Sequence, residues 1–345
     1  MPIIYISKNS DWSGSYSATS IISHLKRVLL RRDVLAASVR IRKFRTVRDR
    51  IEQAVARSVR ALPLASESIK VLSDIRSLDD SMDRRAILID AAISDPGLAA
   101  WIFRHTSTSG MKGAVISSTI MKSSLNSKNF AEDVMSSTKC IDPLQCSYHL
   151  DELEKVLTHS RKVAIACRIM AEHIGMDPES ISEVTMAGLL HDIGQLVLLA
   201  LEMILEHHRE KELLAPWARK LICESFMVEG HFSGELADHV TLGARFGKIW
   251  GFPRFINDII AHHHNPLSSS EYPLQSTIVF MANFLILDLP SVNWDTFFNR
   301  NLMELVGLDS NRIRTLKQLI DNSIQKAGAS PFPAKNSKTA TAGSH

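Results

Sequence analysis

Apolar residues recur at three- and four-residue intervals along most of this 345-residue chain. Ile69, Leu72 and Ile75 mark one helix, and Ala86, Ile89 and Ile93 a second. Asp95-Pro96 reads as an N-cap followed by proline at the first helical position, opening a helix that carries Leu98, Trp101 and Ile102. Residues 105–147 are rich in serine and show a weaker stripe. From Leu150 the pattern strengthens. Leu150–Ala171, Ile181–Leu205, Leu236–Trp250, Pro253–His263 and Leu274–Leu287 read as helices, and Phe297–Ala327 as one or two more. A short β-like run, Ile3–Ile6, is the main strand signal. The expected fold class is all-α, a helical bundle with an N-terminal extension of uncertain structure.

The same pattern divides the chain. Residues 1–60 form a basic extension. Residues 61–289 form the main helical domain, in two halves, 61–148 and 149–289. Residues 290–328 add C-terminal helices, and 329–345 have the Ser/Ala/Lys/Pro composition of a disordered tail.

Composition narrows the class. Hydrophobic residues make up 45% and charged residues 22%, enough apolar surface for a sizeable core and too little net charge for a disordered chain. The four cysteines, Cys140, Cys146, Cys167 and Cys223, contain no C-x-x-C pair, which argues against a disulfide framework or a zinc ribbon. The apolar run Ile278–Leu289 is interrupted by Asn283 and is too short to span a membrane. The N-terminus lacks a basic n-region and a long apolar segment, so a cytoplasmic chain with no membrane partner is expected.

Net charge is only +3, but residues 24–60 hold twelve Lys and Arg against Asp33, Asp49 and Glu52. Arg40, Arg42, Lys43 and Arg45 are its densest part and the candidate nucleic-acid contacts. Phe44 stands alone there, without the interleaved aromatics of a single-strand binder. The alternative is a helical arm docked on the acidic remainder of the same chain.

The sharpest local feature is GLLHDIGQLVLL at 188–199, where His191 and Asp192 adjoin inside an apolar helix. A buried carboxylate needs a cation or an imidazolium to compensate it. His159 lies on an inward stripe with Val163, Ala166 and Met170. His239, His262 and His263 sit in similarly apolar settings. Mixed imidazole and carboxylate donors suit divalent Fe, Mn, Zn or Ni. A buried hydrogen-bond network without metal is the competing reading. Glu206, His207 and His208, in a charged run, read as solvated surface.

These motifs resemble the HDOD family, a branch of the HD-domain superfamily of metal-dependent phosphohydrolases. The likeness runs through ALPLASESIKVL at 61–72, SDPGL at 94–98, VISSTIMKSSL at 115–125, THSRKVAIACRIMA at 158–171, AGLLHDIGQLVL at 187–198, ADHVTLGARFGKIWGFP at 237–253 and IIAHHHNP at 259–266. The resemblance implies a helical fold with a histidine-lined pocket. It implies one metal held by His159, His191, Asp192 and a residue at position 283, and accessory ligands His239, His262 and His263. Position 283 is Asn283 where the superfamily has aspartate. Lys155 stands where some two-metal members have glutamate, Gln195 where cyclic-di-GMP phosphodiesterases have lysine, and their GYP extension is absent. These departures weaken a site meant for dications.

The expectation is therefore a bacterial regulatory or signal-transduction protein. It would act through signalling-protein partners and sense a divalent metal or a nucleotide in the pocket, without committed catalytic residues. The alternatives are a metal-dependent phosphohydrolase acting on phosphomonoesters or phosphodiesters, and a nucleic-acid binder using the basic arm, which the composition disfavours.

Overall fold

A computed structural model describes residues 59–77, 84–107, 127–138, 147–207, 239–287 and 294–327. Ile3–Ile6, the basic arm with Arg40, Arg42, Lys43 and Arg45, and the tail 329–345 lie outside the described residues. Every regular element among the described residues is helical, so the fold class is all-α. The helices are α1 (Ser66–Ser77), α2 (Arg84–Ala92), α3 (Pro96–Ser107), α4 (Ser127–Thr138), α5 (Ser147–His173), α6 (Pro178–Leu190) and α7 (Ile193–His207). They continue with α8 (His239–Ile249), α9 (Arg254–His262), α10 (Pro273–Leu285), α11 (Trp294–Phe297), α12 (Arg300–Val306) and α13 (Ser310–Ala327).

Helix α5 is the axis of the molecule, 27 residues or about 40 Å long. Its residues Val163, Ala164, Ala166, Cys167 and Met170 are fully buried. Helices α6, α7, α10 and α13 pack around it. Small residues permit the closest of these approaches: a Cβ on Gly188 would stand 2.6 Å from Cys167 Sγ. Asp177 starts α6 by accepting hydrogen bonds from the amides of Glu179 and Ser180, with Pro178 at the first helical position.

Helices α1–α4 form a smaller layer, with α1 against α2 and α4, and α3 against α6. Asp95 fastens it. Oδ1 accepts from the amides of Gly97 and Leu98 at the start of α3, and Oδ2 accepts from the amide of Ala65 at 2.8 Å. Arg161 of α5 donates to the carbonyl of Ser94 at 2.7 Å, tying the axis to this turn. Trp101 of α3 meets Trp250, which follows α8, edge-on at 5.0 Å, and the Arg104 guanidinium lies over both rings.

Two stretches depart from the sequence pattern. Ile181–Leu205, largely apolar, reads as one helix but is broken at His191 and Asp192. The cause is tertiary. A Cβ at Gly194 would lie 2.0 Å from the carbonyl oxygen of His239, so α7 starts in backbone contact with the start of α8. Phe297–Ala327 resolves into α11, α12 and α13, with Gly307 ending α12 in the left-handed region at φ 65°. By length and composition, Pro178–Ala200 passes as a membrane span, unlike the Ile278–Leu289 run weighed from sequence. However, it is broken at the His-Asp pair, and 89% of its most apolar window is buried inside the fold.

Candidate metal centre

The break between α6 and α7 builds the site. His191 ends α6 with no solvent exposure, and Asp192 follows it, 4% exposed. Around this one carboxylate converge α5, α8, the end of α9 and α10. His239 Nε2 is 3.2 Å and His263 Nε2 3.3 Å from Asp192 Oδ1. His191 Nε2 is 3.3 Å and His159 Nε2 3.5 Å from Oδ2. Two donor groups share the carboxylate: Asp192 with His239, His263 and His264, and Asp192 with His159 and His191.

Local hydrogen bonds fix the imidazole tautomers. His191 Nδ1 lies 2.8 Å from the carbonyl of Gly188, and His263 Nδ1 2.8 Å from that of Ile260. A carbonyl only accepts, so Nδ1 carries the proton in each neutral ring and Nε2 presents a lone pair. His263 Nε2 therefore faces Asp192 Oδ1 as acceptor against acceptor. Both atoms are buried and neither makes a hydrogen bond. Burial pushes the His263 pKa down, which keeps the ring neutral. Two buried acceptors in apposition are what a cation between them would relieve.

The other half is arranged differently. Gln195, on the first turn of α7, donates from Nε2 to Asp192 Oδ2 at 2.8 Å. His159 Nε2 lies 3.3 Å from His191 Nε2, whose lone pair can accept only if His159 supplies the hydrogen. One hydrogen, from Gln195, thus reaches Oδ2 and one from His159 reaches His191 Nε2, while Oδ1 receives none from His263. Burial and the neighbouring His191 lower the His159 pKa to about 4. Burial opposes ionisation of Asp192, but the neighbouring His191 outweighs it and the carboxyl is held well below the usual range. A neutral His263 beside an ionised carboxylate is the pair of protonation states that metal ligation requires.

Of the residues singled out from sequence, His159, His191, Asp192, His239 and His263 are brought together. Asn283 lines the same cavity of about 390 Å³ with His159, Asp192, Gln195, His239 and His264. His262 is not in the cluster: its Nδ1 meets the carbonyl of Asp258 at 2.8 Å on its own helix, and the Asp258 carboxylate lies 3.3 Å away. His264 takes the place expected for it. Lys155 pairs with Glu152 at 2.6 Å and its side chain is 69% exposed, so its charge sits at the cavity rim. Sequence reasoning missed His264 and the bond from Gln195 to Asp192. The histidine run at 262–264 and the three-residue spacing of 192 and 195 were the available signals.

The residues present fit a divalent ion on the donor chemistry of the Oδ1 side, three imidazoles and one carboxylate. Residues 133–266 match the family model described as the HDOD domain. No curated protein matches the chain. A virulence factor from Campylobacter jejuni subsp. jejuni has a similar solved structure, at 15% identity and a TM-score of 0.51, covering 79% of this chain and 99% of that one. The MmoQ response regulator from Methylococcus capsulatus str. Bath aligns at 15% identity and a TM-score of 0.47, covering 75% and 99%. An HDOD domain protein with unknown function from Geobacter sulfurreducens aligns at 16% and 0.39, covering 81% and 98%. At these identities the likeness to the first is one of fold. The His-Asp pair thus lies inside residues 133–266, the segment that matches the HDOD domain.

Proposed function

We propose that this HDOD protein is a regulatory module that binds one divalent transition-metal ion on the Oδ1 side of Asp192 and acts through protein partners rather than by turnover. The observation that carries the metal reading is the apposition of His263 Nε2 and Asp192 Oδ1, two buried acceptors 3.3 Å apart without a hydrogen between them. Asp192, His239, His263 and His264 would hold the ion. A bound divalent ion supplies Lewis acidity and charge. His191 and His159 brace the carboxylate from the other side, and the partly exposed His239 and exposed His264 face the cavity.

Weak support for turnover favours the regulatory half of the reading. Asp192 is the one carboxylate in either donor group, and position 283 offers a neutral amide. One carboxylate cannot balance the charge of two dications, and a paired-metal hydrolysis requires both. The HDOD domain itself, together with the regulatory character implied by the family resemblance, points the same way. The test is hydrolysis of bis-p-nitrophenyl phosphate and p-nitrophenyl phosphate with added Mn or Fe, run beside a metal-binding isotherm. Tight binding of one equivalent with no turnover above the His191→Ala background is expected. Robust turnover that disappears in His191→Ala would overturn it in favour of the phosphohydrolase.

A further inference from the structure

The asymmetry around Asp192 has a specific cause on α7. Gln195 spends an amide hydrogen on Oδ2 at 2.8 Å, and His159 stands 3.3 Å from His191 Nε2 on the same side. An N–H hydrogen carries partial positive charge, so the Gln195 amide takes one of the two lone pairs of Oδ2 and disfavours a cation beside it. Oδ1 has no such partner and is sealed from solvent. A carboxylate bridges two cations most simply with one on each oxygen, so a donor held on Oδ2 works against the second.

We propose that Gln195 is a positioning residue that restricts the pocket to one cation, by holding Oδ2 in a hydrogen bond and turning Oδ1 towards His239, His263 and His264. The inference rests on the metal-binding reading above and adds to it the stoichiometry and the residue that sets it. Two explanations of a single-cation pocket are thereby separated. If missing charge alone kept the second ion out, a carboxylate introduced anywhere along that side would admit it. If Gln195 closes Oδ2, a carboxylate at position 283 leaves the side closed. Gln195→Glu removes the donor hydrogen and sets a second carboxylate against Oδ2, which opens it.

The experiment is titration of the full-length, chelator-stripped chain with cobalt(II) at pH 7.5, read by its d–d absorption and by elemental analysis after desalting. Circular dichroism and a urea midpoint confirm folding of each variant. The expected result is one equivalent in the wild type, one in Asn283→Asp and two in Gln195→Glu. Two equivalents in the wild type or in Asn283→Asp, or one in folded Gln195→Glu, would overturn the role of Gln195 while leaving metal binding intact. No cobalt in the wild type would overturn the metal reading and this inference together.

Discussion

His263 Nε2 and Asp192 Oδ1 stand 3.3 Å apart, both buried, both acceptors, with no hydrogen bond to either. The arrangement follows from one local choice. His263 gives its Nδ1 hydrogen to the carbonyl of Ile260, at the end of α9, and has none left for the carboxylate. Unpaired buried acceptors cost about 1–3 kcal/mol each, and more when charged, so the pocket gains most from a species that satisfies both at once.

His264 and His262 differ by two positions and should differ sharply in effect. His264→Gln removes a donor of the Oδ1 group and is expected to weaken metal binding about tenfold or more. His262→Gln alters a side chain turned to Asp258 and should leave the affinity within about threefold. Isothermal titration of the two variants with zinc checks the pair. Equal losses would mean that the placement of these rings is wrong.

Acid should destabilise the metal-free protein well above the carboxylate range. His159 has a folded pKa of about 4 against 6.5 for the ordinary imidazole. Between these values the unfolded chain binds a proton that the folded chain does not, so stability falls as pH drops from 6.5 towards 4. The full effect is at most about 3 kcal/mol for this group. His263, also lowered, acts in the same direction. Asp192 keeps its stabilising contribution above the ordinary carboxylate pKa and loses it only as pH falls through its depressed folded value. Urea unfolding in the presence of chelator should give a lower midpoint at pH 5 than at pH 7, and an unchanged midpoint would contradict the assignment.

Gly194→Ala should be costly beyond the usual glycine effect. Its Cβ would lie 2.0 Å from the carbonyl of His239, an atom of backbone that cannot swing aside. Separation of α7 from α8 is expected to cost about 1–3 kcal/mol, as overpacking does. It should also move His239 away from Asp192. Both a lowered urea midpoint and weakened metal binding are expected, and a variant with wild-type values for both would remove the reason given for the break at His191.

Cys167 should be inert in the folded protein. It is fully buried against Gly188, and burial pushes its thiol pKa up, away from the reactive thiolate. In a chain with Cys140, Cys146 and Cys223 replaced by serine, Ellman's reagent should find no thiol until denaturant is added. Stoichiometric reaction of the native protein would contradict the packing of α5 on α6.

Much of this was legible in the sequence because periodicity reports burial directly. The all-α class, the Asp95-Pro96 start of α3 and the inward face of α5 with His159 follow from spacing alone. The His-Asp pair was legible as a buried charge in need of a partner. The helix break at that pair was not, because residues 181–205 are largely apolar on both sides of it. Its cause is the approach of Gly194 to a backbone carbonyl 45 positions away. The exchange of His262 for His264 was hidden for a similar reason. His264 lies past the end of α9, in a turn, where helical spacing no longer tells which side chain faces inward. Gln195 read as the loss of a lysine, whereas its amide bond to Asp192 is a matter of three-dimensional geometry.

The most direct measurement is the metal content of full-length protein by mass spectrometry, wild type beside His263→Ala, each loaded with zinc and desalted. One equivalent per chain is expected in the wild type and less than about a tenth of that in a folded His263→Ala. Less than about a tenth of an equivalent in the wild type would contradict the metal reading, and would leave Asp192 as the centre of a hydrogen-bonded network with no ion.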